Sequence, residues 1–199
     1  AGAAGLGFGT AAALAAEGVH VAICGRDRTR LDAAVERLGP TCIGLVADVS
    51  DLDQASRFAD AAASALGGPL DIVVANCGGP PPGTASRTDL DGYREGLDQN
   101  FLATVAFCNA AVGEMRARGW GRILAITSIG ARQPIGDLAA SSAARAAVTS
   151  YIKNLSREVA ADGVTANTIQ PGSHATARIR ALAGHGVSGS IPVGHLGDP

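Results

Sequence analysis

Two pairs of polar residues set among apolar neighbours carry the first chemical signal in this sequence. Thr127 and Ser128 end an apolar run that begins at Ile123, and Ser141 and Arg145 lie in the alanine-rich stretch that follows (ILAITSIGARQPIGDLAASSAAR). The run reads as a buried strand with a polar tip, and the stretch from about Leu138 as a helix. Arg132, Gln133, Pro134 and Asp137 lie in the loop that joins them. Residues four apart on a helix sit about 40° from each other around its axis, so Ser141 and Arg145 share one face. The side chains on offer are hydroxyls, which both donate and accept hydrogen bonds, and a guanidinium that keeps its charge. Open α/β sheets build ligand sites from such a strand tip, loop and helix face.

Composition narrows the partners. A chain of 199 residues, 47% hydrophobic and 17% charged, buries a full core and fits one domain. Its formal net charge of −2 offers no basic field to nucleic acid or to an anionic membrane, so small molecules are the expected partners. Cys24, Cys42, Cys77 and Cys108 are far apart in apolar runs with no CxxC pair. They read as buried reduced thiols in a reducing compartment, and no metal site is expected. No apolar run approaches the ~20 residues that span a bilayer, and a cytoplasmic location is expected.

The elements that position the polar pairs follow from periodicity and punctuation. Ala1 to Gly9 form a glycine-rich turn that opens into a helix, TAAALAAEG, stopped by Gly18. Gly5 and Gly7 allow backbone to approach a phosphate at that helix's N-terminus, where amides and the helix dipole favour an anion; a plain alanine- and glycine-rich turn is the alternative. Strand VHVAIC then leads to Gly25, Arg26, Asp27 and Arg28. At such a strand tip an acid reads a ribose 2′-hydroxyl and an arginine accommodates a 2′-phosphate, so Arg26 favours NADP(H) over NAD(H); a solvated cationic loop is the other reading. A helix from Thr29 to Leu38 stops at Gly39 and Pro40. After strand Cys42 to Ala47 come Asp48, Val49 and Ser50, with Ser50 expected as N-cap of a helix to about Leu66. Asp48 either caps that turn or accepts from an adenine amino group. Strand DIVVAN ends in Asn76, Cys77, Gly78 and Gly79, and three prolines stiffen the next loop. Asn100, within the long helical region Asp89 to Arg118, either ties two elements together or holds a water. Strand VTANTIQ and Pro171-Gly172 follow the helix that runs to about Ala160. Strands alternating with helices of this length predict an α/β fold, a doubly wound parallel sheet.

With these residues in view, the chain resembles the short-chain dehydrogenase/reductase family over essentially its whole length. AGAAGLG, GRD, ADVS, ANCGG, the Asn100 segment DQNFLATV, ITS ending at Ser128, and Pro171-Gly172 with Thr176 keep that family's order and spacing. The resemblance implies a single Rossmann-type domain of three α/β/α layers, a nicotinamide cofactor, and hydride transfer to or from a carbonyl or alcohol. It implies that Gly5, Leu6 and Gly7 line the pyrophosphate and Arg26 meets the 2′-phosphate. Asp48 and Val49 would meet the adenine, and Asn76 and Gly78 the adenosine ribose. Pro171, Gly172 and Thr176 would face the nicotinamide, Ser128 would orient the substrate carbonyl, and Asn100 would hold a proton-relay water. A homodimer or homotetramer is implied as well, with a further strand before Ala1 and a helix and strand after Pro199.

The sequence also departs from the family. Its first turn glycine falls on Ala1, and its YxxxK pair falls on Ser141 and Arg145. A serine hydroxyl is a far weaker acid than a phenol, and an arginine holds ribose hydroxyls but keeps its proton. Tyr151 and Lys153 have the wrong spacing, and Tyr151 is expected to pack. SSAAR, GGPPPG and RGWGRI resemble an atypical 3-oxoacyl-acyl-carrier-protein reductase-like branch. His174, or a water held by Ser128, Ser141 and Asn100, becomes the expected proton source. The expected function is an NADP(H)-dependent oxidoreductase with an altered catalytic centre. Two alternatives stand beside it: a nucleotide-binding sensor or assembly subunit with little turnover, and non-redox chemistry on the same scaffold. Specificity is expected in the loops at Pro80 to Thr84, Arg132 to Asp137 and His174 to Ser190, with a lid helix at Ala177 to Ala183.

Overall fold

The structure, a computed structural model, describes residues 2–182 and 191–199. Ala1, Ala183 and the rest of the expected specificity loop to Ser190 lie outside the described residues. Contacts divide the chain into two compact units, residues 1–46 with 171–199, and residues 47–170.

In the first unit, helix α1 (Gly5–Ala16) is followed by strand β1 (Val21–Gly25), helix α2 (Arg28–Leu38) and strand β2 (Cys42–Val46). The two strands pair in parallel, from Val21 opposite Cys42 to Gly25 opposite Val46. Their β-branched residues suit a half-buried pleat. Helix α2 buries Leu31 and Ala34 and packs Val35 and Leu38 beside them, an i, i+3, i+4, i+7 stripe. Helix α2 lies close over Gly44, where a Cβ would stand 2.8 Å from Leu31 Cγ and 2.9 Å from Val35 Cγ2, so a larger residue would force these side chains to shift. Asp27 caps this helix by accepting from the Arg30 amide at 3.0 Å, which starts it one residue before the expected Thr29.

The second unit contains helix α3 (Leu52–Leu66), strand β3 (Ile72–Ala75), helix α4 (Leu90–Gly96), helix α5 (Ala103–Arg118), strand β4 (Gly121–Ile126), helix α6 (Ala139–Val159) and strand β5 (Val164–Ile169). Its strands are parallel in the order β3-β4-β5. Helices α5 and α6 fill the core with Met115, Ile152 and Val159, which meet Ile123 and Val164 of the sheet; all five are fully buried. Each such side chain is worth about 1.5–3 kcal/mol of burial. Small residues on α3, Ala55, Ala59 and Ala62, let it lie close to α5, and Phe58 meets Phe107 edge to face at 6.0 Å.

Two boundaries differ from the sequence reading. The N-cap of α3 is Asp51, not Ser50: Asp51 accepts from the amides of Asp53 at 3.0 Å and Gln54 at 3.1 Å. Ser50 instead donates its amide and its hydroxyl to Asp48 Oδ1, at 3.0 and 2.6 Å, folding the preceding turn. The long region before Arg118 is helical throughout but changes pitch, with a π-helical turn (Leu97–Leu102) between α4 and α5. All four cysteines are buried and none is in a disulfide, as the sequence led us to expect.

Candidate active site

Parallel strands put their carbonyl ends on one edge, and in the second unit the chain concentrates its polar groups there. Thr127, just past β4, donates both its amide (2.8 Å) and its hydroxyl (3.1 Å) to the Ile169 carbonyl at the end of β5. Ser128 caps the short 3-10 turn Ile129–Ala131, its Oγ accepting from the Gly130 amide at 3.0 Å. The proline loop is tied to the chain entering α6 by Gly83, whose amide donates to the Asp137 carbonyl at 2.7 Å and whose carbonyl accepts from Ala139 at 3.1 Å. That clamp fixes where α6 begins, and so where Ser141 stands.

Ser141 and Arg145 share a face of α6 as their spacing predicts. Arg145 Nε donates to Ser141 Oγ at 3.3 Å. The guanidinium also reaches main-chain carbonyls: Nη1 donates to Ile126 at 3.1 Å and Thr127 at 3.0 Å, and Nη2 to Gly78 at 3.3 Å. The ends of β3 and β4 are thereby joined to α6 by one side chain. Ser141 is buried and Arg145 half-buried.

Sequence reasoning missed Ser142. It is buried, and its Oγ lies 3.1 Å from the point where a Cβ on Gly130 would sit; Ser128 Oγ lies 3.4 Å from the same point. Both hydroxyls thus border the space that Gly130 leaves open by having no side chain. The available signal was SSAAR itself, where Ser142 adjoins Ser141.

Asn100 sits in the π-helical turn, a geometry that recurs at functional sites. Its Nδ2 donates to the Gly96 carbonyl at 3.2 Å, while Oδ1, in a side chain 2% exposed, has no hydrogen-bond partner. The donor bond stays within the same helical stretch and ties no second element, whereas the orphaned acceptor suits a water.

Of the nucleotide-side residues in this unit, Val49 packs against the core, Asn76 is half-buried and Gly78 is exposed. Asp48 performs its capping role through Ser50.

In the first unit, Gly5 starts α1 with φ +54°, and Gly7 is buried inside the helix, so these glycines form its first turn instead of a loop before it. The Leu6 carbonyl accepts from Thr10 Oγ1 at 2.8 Å. No side chain caps α1 at Ala4, and no acid lies in its first turn. A Cβ at Gly5 would lie 3.1 Å from Thr176 Cγ2, so the glycine turn and the Thr176 segment, far apart in sequence, are in contact. Thr176 Oγ1 accepts from the Ile179 amide at 3.3 Å and starts α7 (Ala177–Leu182), the described part of the expected lid helix. Pro171 is half-buried, while Gly172 is exposed, as is Arg26 at the end of β1. Residues Ser173 to Ala175 are held by Gly197, which donates to the Ser173 carbonyl at 3.1 Å and accepts from the Ala175 amide at 2.8 Å. His174 Nδ1 lies 3.1 Å from the Gly172 carbonyl, which only accepts, so Nδ1 carries the hydrogen in that contact.

Tyr151 packs, as expected. Its ring meets Phe101 edge to face at 6.1 Å, and its hydroxyl donates to Asn109 Oδ1 at 3.4 Å. Burial, with Cys108 beside it, pushes its phenol above the ordinary range. That is opposite to what a proton donor at neutral pH requires.

Among the described residues there is no group of three or more His, Cys, Asp or Glu able to hold a metal ion, and no helix is long and apolar enough to cross a membrane.

Comparison with known proteins gives the family. A family model described as short chain dehydrogenase matches residues 1–184, and the chain belongs to that family. Dehydrogenase/reductase SDR family member 4 of Bos taurus is 32% identical over 182 residues, which make up 89% of this chain and 65% of the relative, so the chain spans less than two thirds of that protein. A 3-oxoacyl-acyl-carrier-protein reductase of Synechocystis sp. is 30% identical over 98% of this chain and 80% of its own. Among solved structures, an NADPH-bound short chain oxidoreductase from Pseudomonas aeruginosa PAO1, described as containing an atypical catalytic center, superposes with a TM-score of 0.89 at 30% identity, covering 100% of this chain and 82% of that one. The fold is accordingly the Rossmann-type α/β fold of short-chain dehydrogenases, and the family is one of oxidoreductases that use a nicotinamide cofactor.

Proposed function

We propose that this protein is an NADP(H)-dependent oxidoreductase of carbonyl or alcohol substrates whose Ser141 and Arg145 stand where the family has its tyrosine and lysine. The observation that carries the reading is the hydrogen bond between Arg145 and Ser141 on α6, one turn into a helix whose guanidinium also holds the β4 end next to Ser128. Main-chain amides of an uncapped helix start suit a pyrophosphate at Gly5, Leu6 and Gly7. The end of β1 supports NADP(H) over NAD(H): Arg26 is exposed, while the Asp27 carboxylate caps α2 and faces Arg30 Nε at 3.5 Å.

Asp48 and Val49 would meet the adenine, Asn76 and Gly78 the ribose, and Pro171, Gly172 and Thr176 the nicotinamide, which supplies or accepts a hydride when bound. Ser128 and Ser141 would hydrogen-bond the reacting oxygen. Because a serine is so weak an acid, they stabilise developing charge, and the product's proton comes from a water that Asn100 Oδ1 is free to hold. The test is a fluorescence titration of the protein and an Arg26→Ala variant with NADPH and NADH. We expect the variant to lose tenfold or more in NADPH affinity and to keep its NADH affinity within about twofold. Equal losses for both nucleotides would overturn the cofactor assignment.

A nucleotide-binding protein without turnover is the second reading, favoured by Arg145 being occupied with main-chain carbonyls. Tight NADPH binding with no oxidation across a panel of aldehydes and ketones would establish it.

A further inference from the structure

We infer that Arg145 is the positioning residue of this centre: it fixes the carbonyl ends of β3 and β4 and turns the hydroxyl hydrogen of Ser141 away from itself, so that Ser141 is held ready to donate to an oxygen acceptor. That the acceptor is a substrate carbonyl or alkoxide rests on the function proposed above; the positioning itself does not.

A guanidinium has five N–H groups in a rigid fork and no acceptor. Four bonds from the Arg145 fork go to Ser141 Oγ, the carbonyls of Ile126 and Thr127, and the carbonyl of Gly78. These atoms belong to three different segments, so the side chain locks one helix to two strand ends. A lysine ammonium, a single nitrogen on a flexible stem, cannot present donors to all of them together.

The Ser141 contact has a fixed direction. Nε can only donate, so Ser141 Oγ accepts and its own hydrogen lies off that line. Ser141 is 8% exposed, and among the described residues its hydroxyl donates to no acceptor. A hydroxyl that accepts from a cation is polarised toward donating. Arg145 cannot release its proton, so the pair offers a directed hydrogen bond and relays no proton.

The test uses the nucleotide-free protein, which separates it from the cofactor reading. The Nε–Hε signal of Arg145 is assigned in a nitrogen-15 correlation spectrum by its loss in Arg145→Lys. We expect its hydrogen to exchange with water at least tenfold more slowly than those of exposed arginines. Ser141→Ala should shift the signal and speed that exchange tenfold or more, and Ser141→Thr, which keeps the hydroxyl, should restore both. In Arg145→Lys, amide exchange at residues 78–79 and 127–130 should also rise tenfold or more. If that variant does not fold, the Ser141 pair decides alone. An Arg145 signal that exchanges like exposed arginines, or that ignores Ser141→Ala, would overturn the inference. So would an Arg145→Lys protein with wild-type exchange and altered NADPH affinity only, which would assign Arg145 to the nucleotide.

Discussion

Replacing Gly5 by alanine tests the turn that opens α1 with a single methyl group. With φ at +54°, an alanine at this position adopts the left-handed region at about 1–2 kcal/mol. Its Cβ would also stand 3.1 Å from Thr176 Cγ2, a contact that requires a shift of a few tenths of an ångström. Overpacking at the lower end of the usual range, about 1 kcal/mol, suits a half-buried partner. Against this, removing a glycine restricts the unfolded chain and returns about 0.4–1 kcal/mol. The net expectation is a destabilisation of about 1–3 kcal/mol, or roughly 2–12 °C in melting temperature for a chain of this size. A double-mutant cycle separates the two contributions. Thr176→Ser deletes the methyl in question and keeps the hydroxyl that accepts from Ile179. In its background Gly5→Ala should therefore lose about 1 kcal/mol less than alone, leaving only the backbone cost. The measurements are thermal and urea unfolding of the four proteins without nucleotide, followed by NADPH titration. A melting temperature within about 1 °C of wild type for Gly5→Ala would refute the left-handed turn. A coupling energy below about 0.3 kcal/mol would refute the contact between Gly5 and Thr176.

Alkaline pH should unfold this protein through a buried pair. Burial pushes the Cys108 thiol from its ordinary 9.0 up to about 12, and the phenol of Tyr151 is raised too, chiefly by burial. Both groups are harder to ionise when folded, so their contribution is complete below pH 9 and is lost as pH climbs toward 12. A single such proton gives a slope of about 1.4 kcal/mol per pH unit. Urea midpoints should fall across that window and fall less steeply in Cys108→Ala; a flat profile in the wild type would contradict the burial argument. Tyr151→Phe should leave NADPH affinity unchanged and alter stability by less than about 1 kcal/mol, since the hydrogen bond it removes is 3.4 Å long. A Tyr151→Phe protein that fails to bind nucleotide would show that this tyrosine does more than pack.

The sequence by itself determined the elements and their class. Apolar period and turn residues, such as Leu31, Ala34, Val35 and Leu38 ahead of Gly39, are local patterns that fix one face of one helix, and the structure builds that helix where they occur. The pairing of Ser141 with Arg145 was equally legible, because four-residue spacing on a helix is a geometric constant. The sequence reading puts the N-cap of α3 on Ser50, one residue early: Ser50 is bound to Asp48, and the neighbouring Asp51 carboxylate takes the helix amides. Only the tertiary structure decided what Arg145 holds, that the hydroxyls of Ser142 and Ser128 both border Gly130, and that Thr176 packs on Gly5. Those contacts join residues distant in the chain. Local periodicity says which way a side chain faces but not which carbonyl or methyl group waits there, since that depends on how helices and strand ends pack together.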